Sequence, residues 1–352
     1  MAALYPKLTL KGSEKIGLIS NLSTMLSAGI PIIEAVDSIL TDTKGSQKKI
    51  LETLKKDLMD GKRVYSAFAN FPSCFDPITV NLIKAAEEAG TLETTLHDLK
   101  DHIQRDMEFS DRVKSALIYP VIIMFVFIVV LLMILIFVIP KISTVFKKLR
   151  IALPLPTRIM IFVSDLITQH TLVLAISSIA LVVIVIIVFK KNRPLFIRIF
   201  SGLPLISKLT REIDLARFSR SLYLLLSSGI PITSALELSK DVIFRGQTAD
   251  IIKKAREMIM SGKRFSDGLR SGKKDIPTIV VKLIEAGEKS GSLDKSMKDI
   301  SEFFDYQVGN TLKNLTAIME PVMLVMVGFF AGGMMLAIIT PIYGLIGQIG
   351  AQ

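Results

Sequence analysis

Few residues in this chain have the types and the spacing that catalysis or metal binding requires. Five positions separate His97 from His102, whereas a metal-binding histidine pair on one helix face is four positions apart, and His170 is remote from both. We therefore expect the three histidines to be exposed polar positions without a metal. No G-x-x-x-x-G-K-[ST] loop occurs, and the apolar segments contain no aspartate pair and no serine–histidine arrangement. The sequence thus predicts a protein that is not an enzyme and that holds no cofactor.

Three glutamates have positions that point to contacts rather than to catalysis. Glu87 and Glu288 occupy matching places, each three residues before a glycine that can end a helix. Each of these two carboxylates either contacts a partner or the other half of the chain, or lies on a solvated helix face. Glu320 stands at the start of an apolar segment, where a carboxylate that faces lipid is costly. It contacts a neighbouring helix or a partner, or it stays at the level of the lipid headgroups.

Three long uncharged segments predict a membrane protein. The chain has 352 residues, of which 50% are hydrophobic, and its mean hydropathy is +0.51. The uncharged segments, each close to the length that spans a bilayer, are 120–139, 172–189 and 321–345. Gly328 and Gly332 in the third segment form a G-x-x-x-G pair, which allows helices to approach closely in lipid. We expect this pair to mark a contact between helices.

The distribution of Lys and Arg orients the three predicted spans. Ten basic residues flank the spans on the side of the two polar regions, and five lie on the other side, in the 140–170 segment. The N-terminal residues have no apolar core or cleavage site that would make a signal peptide, and the chain has one cysteine, Cys74, which suits a reducing compartment. We predict the following division: a first cytoplasmic repeat at 1–115, spans at 116–139, 171–189 and 319–345, a short periplasmic loop at 140–170, a second cytoplasmic repeat at 190–318, and a periplasmic tail at 346–352.

The two polar regions are copies of one unit. LSAGIPII at 26–33 returns 200 residues later as LSSGIPIT, and VNLIKAAEEAGTLE at 80–93 returns 201 residues later as VKLIEAGEKSGSLD. Several matches in register over about 110 residues indicate a duplication, because one similar phrase alone could arise by chance.

Each unit is predicted to contain about six helices. In the first unit we place them near 13–28, 31–40, 46–59, 65–70, 77–89 and 92–115. Gly29 can end one helix in the left-handed conformation, and Pro31 suits the first turn of the next. Gly90 forms a second corner of this kind. The last helix continues toward the first span, so Pro120 is expected to mark the corner into the membrane; in the second unit, the corresponding corners are Gly229, Pro231, Gly291 and Pro321.

Together these features resemble the type II secretion protein F family. The residues that carry the resemblance are the two G-I-P corners, the two E-x-x-G-x-L corners and the Tyr-Pro and Glu-Pro pairs before the first and third spans. It covers the chain from about residue 16 to about residue 343. The positions carried over from the family are Gly29, Pro31, Glu87, Gly90, Pro120, Gly229, Pro231, Glu288, Gly291, Glu320 and Pro321.

The resemblance implies a non-catalytic platform protein in the bacterial inner membrane. Such a platform contacts a cytoplasmic hexameric ATPase and other inner-membrane assembly proteins, helps to move pilin subunits into a growing type IV pilus, and forms a homo-oligomer, at least a dimer. The alternative is the platform of a type II secretion system, which drives a pseudopilus built from pseudopilin for the export of proteins.

The two repeats differ in net charge, and this difference bears on what each could bind. Residues 190–315 carry 23 Lys and Arg against 14 Asp and Glu, whereas residues 1–115 carry 15 against 16. The basic half could bind anionic lipid headgroups or an acidic face of the ATPase. We expect no nucleic-acid binding, because the chain has no Trp and no series of aromatic residues for stacking, and its charge lies beside a membrane anchor.

Overall fold

The computed structural model describes residues 8–149, 155–169, 204–272 and 275–349. Helices make up most of these residues, and no β-strand occurs among them, which confirms the predicted all-α class. In the first repeat the helices are α1 (Gly12–Ser27), α2 (Ile32–Thr41), α3 (Gly45–Met59), α4 (Val64–Ala69), α5 (Pro77–Ala89) and α6 (Leu92–Met133). After α6 come a π-helical turn (Ile134–Val138), α7 (Ile139–Leu149) and α8 (Leu155–Gln169). In the second repeat they are α9 (Pro204–Ser227), α10 (Ile232–Ser239), α11 (Gly246–Met260), α12 (Phe265–Leu269), α13 (Thr278–Ser290) and α14 (Leu293–Ile349).

The chain divides into two compact units, and the division cuts through α6 and α14. One unit comprises Met1–Arg112 and Ile197–Asn310, and the other comprises Val113–Phe196 and Thr311–Gln352. The polar parts of both repeats therefore pack together in one unit, whereas the apolar ends of α6 and α14 belong to the other.

Glycines with positive φ end helices at the same points of both repeats. Gly29 and Gly229 each have φ +77°, a conformation that costs glycine little because it has no Cβ. The amide of Ile30 donates to the Met25 carbonyl at 3.0 Å, which satisfies one of the free carbonyls at the end of α1. Pro31 then precedes the first residue of α2, where a missing N–H leaves nothing unpaired.

The core of the first repeat is built around phenylalanines on and after α4. Phe68, Phe71 and Phe75 are buried, and the rings of Phe68 and Phe75 meet edge to face with centroids 4.7 Å apart. Leu18 and Leu22 on one face of α1 are fully buried as well. The second repeat buries smaller residues at two of these places, where Leu269 and Ile276 correspond to Phe68 and Phe75.

The last helix of each repeat is unusually long, and its proline lies inside it. α6 has 42 residues and contains Pro120, and α14 has 57 residues and contains Pro321. The prediction that these two prolines form corners is therefore wrong. Each proline removes one backbone hydrogen bond, but the helix continues because its apolar residues have no alternative backbone partner in a lipid environment.

Two described helices are long and apolar enough to cross a membrane. The first, Leu92–Thr144, comprises α6, the π-helical turn and the start of α7, and the second, Leu293–Leu336, is most of α14. Their most apolar windows have mean hydropathies of 3.7 and 1.8. Large side chains on them are exposed, such as Phe125 and Leu324, as expected of surfaces that face lipid. In the compact unit that contains their apolar ends, the two helices meet at Phe127 and Phe330, whose ring centroids are 5.5 Å apart. The predicted second span, 172–189, lies outside the described residues.

The 140–170 segment, expected as a short loop, is largely helical in its described part. α6 continues through the π-helical turn into α7, and α8 packs back on that turn. Leu135, Ile139 and Ile161 form a small buried core there, and the Ser164 hydroxyl donates to the Leu135 carbonyl at 2.6 Å. The π-helical turn before Pro140 lets the helix continue through that proline.

Candidate functional site

The two matching glutamates cap the shortest helix of their own repeat. Glu87 on α5 accepts hydrogen bonds from the amides of Val64 at 2.9 Å and Tyr65 at 3.2 Å, at the start of α4. Arg63, the residue before α4, supplies no side-chain cap, so the glutamate satisfies amides that would otherwise be free. A carboxylate at this end of a helix also interacts favourably with the helix dipole.

The second repeat repeats this arrangement with the same geometry. Glu288 accepts from the amides of Phe265 at 2.6 Å and Ser266 at 3.2 Å, at the start of α12. Both glutamates are half-buried. The sequence left open a partner contact or a solvated face for these residues, and the structure adds a contact inside each repeat.

The glycines that follow these glutamates end α5 and α13. Gly90 has φ +72° and Gly291 has φ +71°, both in the left-handed region. The amide after each glycine bonds back to the helix, Thr91 to the Ala86 carbonyl at 2.9 Å and Ser292 to the Gly287 carbonyl at 3.0 Å. These glycines therefore fix the direction in which the long last helices, α6 and α14, leave their repeats.

The remaining predicted contact residues lie on the exposed surface of α14. Glu320 is exposed, and it has no hydrogen-bond or ion-pair partner among the described residues. Gly328 and Gly332 are exposed too, and a Cβ built on either would meet nothing within 4 Å. The structure therefore shows where these residues are without showing what they contact.

A group of charged side chains joins the two repeats through Arg220 of α9. Its side chain is 7% exposed, and one guanidinium nitrogen lies 2.6 Å from both carboxylate oxygens of Asp305 on α14. A second nitrogen lies 3.5 Å from Asp106 on α6. One buried arginine therefore links the last helices of both repeats, and we call the group of Arg217, Arg220, Asp106 and Asp305 the arginine junction.

The second arginine of the junction adds polar and aromatic contacts to α6. Arg217 donates to the Ser110 hydroxyl at 2.9 Å, and its Nε lies 3.6 Å from Asp106. Its guanidinium also lies over the rings of Phe109 and Phe244, 5.9 and 5.2 Å from their centroids. A planar, permanently charged guanidinium can make ionic and stacking contacts together, which lysine cannot reproduce.

His102 lies beside the junction, between two small cavities. One cavity, of about 160 Å³, is lined by Arg105, Arg220 and Tyr223 among others; the other, of about 220 Å³, is lined by Ile78, Asp106 and Arg217 among others. The imidazole lines both. Its burial lowers the pKa of His102 to about 4, against the opposing effect of Asp106 and with the support of Arg220. The histidine is therefore neutral at neutral pH, and the expectation that it is an exposed residue is wrong.

The other two histidines do not join this group. His97 is exposed on α6, and His170 lies outside the described residues. No cluster of three or more His, Cys, Asp or Glu side chains that could hold a metal occurs in the described part of the chain. The junction is a group of charged side chains in which Arg220 contacts both long helices, α6 and α14.

Sequence reasoning missed the arginine junction. A signal was present, because Arg217 and Arg220 interrupt an otherwise leucine-rich helix with the spacing of one helix face, whereas the first repeat has Gly17 and Ser20 there. A charged pair on the buried side of a helix needs partners, but sequence spacing alone does not identify them.

Comparison with known proteins decides the family. Residues 18–140 and 218–341 match the family described as "Type II secretion system (T2SS), protein F". The chain belongs to this family. The two matched segments begin in the first helix of each repeat and end in or beyond an apolar helix, so the T2SS protein F match covers both copies of the unit.

Relatives in this family include pilus-assembly and secretion proteins. The chain is 28% identical over 340 residues to the "Type 4 fimbrial assembly protein PilC" of Pseudomonas putida, which covers 95% of this chain and 84% of the relative. It is 29% identical over 342 residues to the "Type IV pilus assembly protein PilC" of Myxococcus xanthus, covering 96% and 82%. It is 26% identical over 332 residues to the "Type II secretion system protein F" of Pseudomonas aeruginosa, covering 94% and 82%.

Proposed function

We propose that this chain is a non-catalytic platform of the bacterial inner membrane that couples a cytoplasmic assembly ATPase to the insertion of pilin into a growing type IV pilus. The observation that carries the proposal is the arginine junction together with the two long helices that it links. Each repeat ends in a helix that runs without a break into an apolar segment. We expect such a continuous helix to carry a displacement of its repeat toward the apolar segment.

Arg220 gives this transmission a defined point of coupling. The guanidinium is bonded to Asp305 on one long helix and faces Asp106 on the other. A push on one repeat that moves its last helix must move the second helix too, or break a buried ion pair. Breaking such a pair is costly, because it leaves a buried charge without compensation.

The two repeats offer a matched pair of tips on which an ATPase could act. Met59 and Met260, at the ends of α3 and α11, are 69% and 65% exposed and are 201 residues apart. Each is followed after one residue by Gly-Lys-Arg, and Gly61 and Gly262 both have positive φ. An exposed methionine beside two basic side chains favours a partner surface with apolar and acidic groups.

We propose further that the chain crosses the membrane three times with both repeats in the cytoplasm. The Lys and Arg distribution supports this topology, as does the junction, because repeats that share a buried ion pair are on the same side of the membrane. Reporter fusions in the 140–170 segment and at the C-terminus should then both report the periplasm. A cytoplasmic signal from either fusion would contradict the topology.

A type II secretion platform is the second candidate. The relatives include type II secretion system proteins F of similar coverage, and the architecture serves a pseudopilus as well as a pilus. In either machine the partners would be pilin or pseudopilin, other inner-membrane assembly proteins and anionic lipids that the basic second repeat attracts.

The ATPase contact is tested by co-purification of the full-length chain in detergent with the assembly ATPase of its host. Wild-type chain should retain the ATPase, and Met59→Asp or Met260→Asp should weaken retention, because each places a carboxylate on an exposed tip. Glu52→Gln, on the exposed side of α3, is the matched control and should retain it fully. Equal retention by the wild type and both methionine variants would refute docking at the tips.

A further inference from the structure

The contact between the two repeats is made by helices that are not equivalent in the two copies. α9 and α10 of the second repeat pack on α5 of the first repeat. The reverse pairing, α1 or α2 of the first repeat with α13 of the second, is not made to a comparable extent in the described part of the chain. Among the described residues, such a heterologous contact leaves the face of the first repeat that is equivalent to α9, and the face of the second repeat that is equivalent to α5, without a partner.

The unpartnered face of the second repeat carries large apolar side chains. Ile78 on α5 faces the junction and is 5% exposed, whereas its equivalent 201 residues later, Ile279, is 47% exposed. Phe303 and Tyr306 on α14 correspond to His102 and Arg105, and they are 39% and 68% exposed. We call Ile279, Phe303 and Tyr306 the apolar face.

The unpartnered face of the first repeat is small where its equivalent is bulky. Arg217, Arg220 and Leu224 of α9 contact or line the junction, and the residues 200 positions earlier on α1 are Gly17, Ser20 and Thr24. A Cβ built on Gly17 would meet nothing within 4 Å, so this surface is open. We call Gly17, Ser20, Asn21 and Thr24 the small-residue face.

The two free faces also differ in bulk, but here the second repeat's α14 carries the bulky side chains and the first repeat's α1 carries the small ones. Inside the chain, bulky arginines of α9 meet Asp106 and Ser110 of α6. Between chains, bulky Phe303 and Tyr306 of α14 would meet the small residues of α1. Aromatic side chains are enriched in the cores of protein interfaces, and exposed apolar clusters mark such surfaces.

Charge favours the pairing of unlike repeats over the pairing of like repeats. The net charge is +9 for residues 190–315, from 23 basic and 14 acidic residues, and −1 for residues 1–115, from 15 and 16. Two second repeats repel one another, whereas a second repeat and a first repeat do not.

We propose that the apolar face of one chain docks on the small-residue face of a second copy, with the face pairing that joins the two repeats within a chain. Every chain then offers one donor face and one acceptor face. The assembly grows head to tail, and it closes into a ring where the rotation between neighbours permits. The proposal concerns self-association alone and holds for a pilus or a secretion platform alike.

Cross-linking between differently tagged chains tests the pairing in native membranes. Arg220 faces Asp106 within the chain, so the equivalent pair between chains is Ser20 and Gln307. One chain carries Ser20→Cys and the other Gln307→Cys, both with Cys74→Ala, and a short bis-maleimide is added. The species that carries both tags should exceed, by about tenfold or more, that formed when Glu52→Cys replaces Ser20→Cys.

Substitutions on the two faces separate this docking from random collision or a lipid contact. Tyr306→Asp should reduce the doubly tagged species about tenfold, and Asn21→Arg on the opposite face should do the same in chains whose circular dichroism is unchanged. Lys254→Asp, which places the same carboxylate on an exposed position of α11 away from the apolar face, should leave the yield unchanged. A yield equal to that of the Glu52→Cys control would overturn the proposal, as would full cross-linking with Asn21→Arg; a lipid-facing role for Tyr306 predicts both of these results.

Discussion

The arginine junction makes a quantitative prediction for Arg220→Ala. The side chain is 7% exposed, and its bonds to Asp305 measure 2.6 Å. Removing one partner of a fully buried ion pair costs about 3–5 kcal/mol. Because the Asp305 side chain is 32% exposed, water can solvate the carboxylate that is left behind, and we reduce that contribution to about 2 kcal/mol. The guanidinium also lies 5.1 Å from the centroid of Phe109, a contact worth about 0.5–1 kcal/mol.

These contributions sum to a loss of about 2–3 kcal/mol in the free energy of unfolding of the unit that contains both repeats. In a unit of this size, 1 kcal/mol lowers Tm by about 2–4 °C, so we expect a fall of about 5–10 °C. Cys74, the sole cysteine, is buried in the first repeat and reports unfolding when it reacts with a fluorogenic maleimide. Burial raises the pKa of its thiol, which keeps it unreactive in the folded protein.

Arg270→Ala is the matched control for the same assay. Arg270 lies 3.2 Å from Glu285 but is 57% exposed, and we expect no measurable change in Tm because exposed ion pairs contribute little. In a double-mutant cycle, Asp305→Ala should cost much less in the Arg220→Ala background than alone, because the shared interaction is already gone. Equal Tm values for Arg220→Ala and Arg270→Ala would refute the claim that the junction holds the repeats together.

Three further predictions use the same maleimide assay. Glu87→Ala should lower the free energy of unfolding by about 1 kcal/mol through loss of the α4 cap, whereas Glu88→Ala on the exposed side should not; equal effects would exclude a capping role. Gly90→Ala should cost about 1–2 kcal/mol, since φ is +72° and no neighbour clashes with a Cβ; an unchanged Tm would show that the turn adjusts. The folded-state pKa of His102, about 4, lies below its ordinary value of 6.5, so the unfolded chain takes up a proton first and stability should fall as pH drops from about 6.5 to about 4. His102→Gln should remove that part of the pH dependence, and an unchanged profile would mean that another group causes it.

The local corners of the fold could be predicted from sequence because their causes are local. A glycine that must adopt positive φ followed by proline determines where α1 ends and α2 begins, and the predicted boundaries 13–28 and 31–40 lie within one residue of the observed helices. The duplication strengthened every such inference, since each corner occurs twice. Pro120 misled the prediction because a proline stops a helix in water more readily than in an apolar setting.

The contacts that join distant parts of the chain could not be predicted in this way. Arg220 and Asp305 are 85 residues apart in the sequence, and no spacing rule connects them. Glu87 caps amides 22 and 23 residues away, and its signal was indirect, because α4 starts after an arginine that cannot cap it. His102 was placed on the surface because nothing in its neighbours indicates that α9 covers it.

The most direct test of the platform is a clean deletion of its gene in the natural host, complemented with the intact gene. Pilin would be measured by blotting of membranes, and filaments would be counted by electron microscopy. The account predicts processed pilin retained in the membrane without filaments, and filaments restored by the intact gene. Normal filaments with failed release of a folded exported protein would assign the chain to type II secretion instead. Normal filaments together with normal secretion would contradict the proposed function.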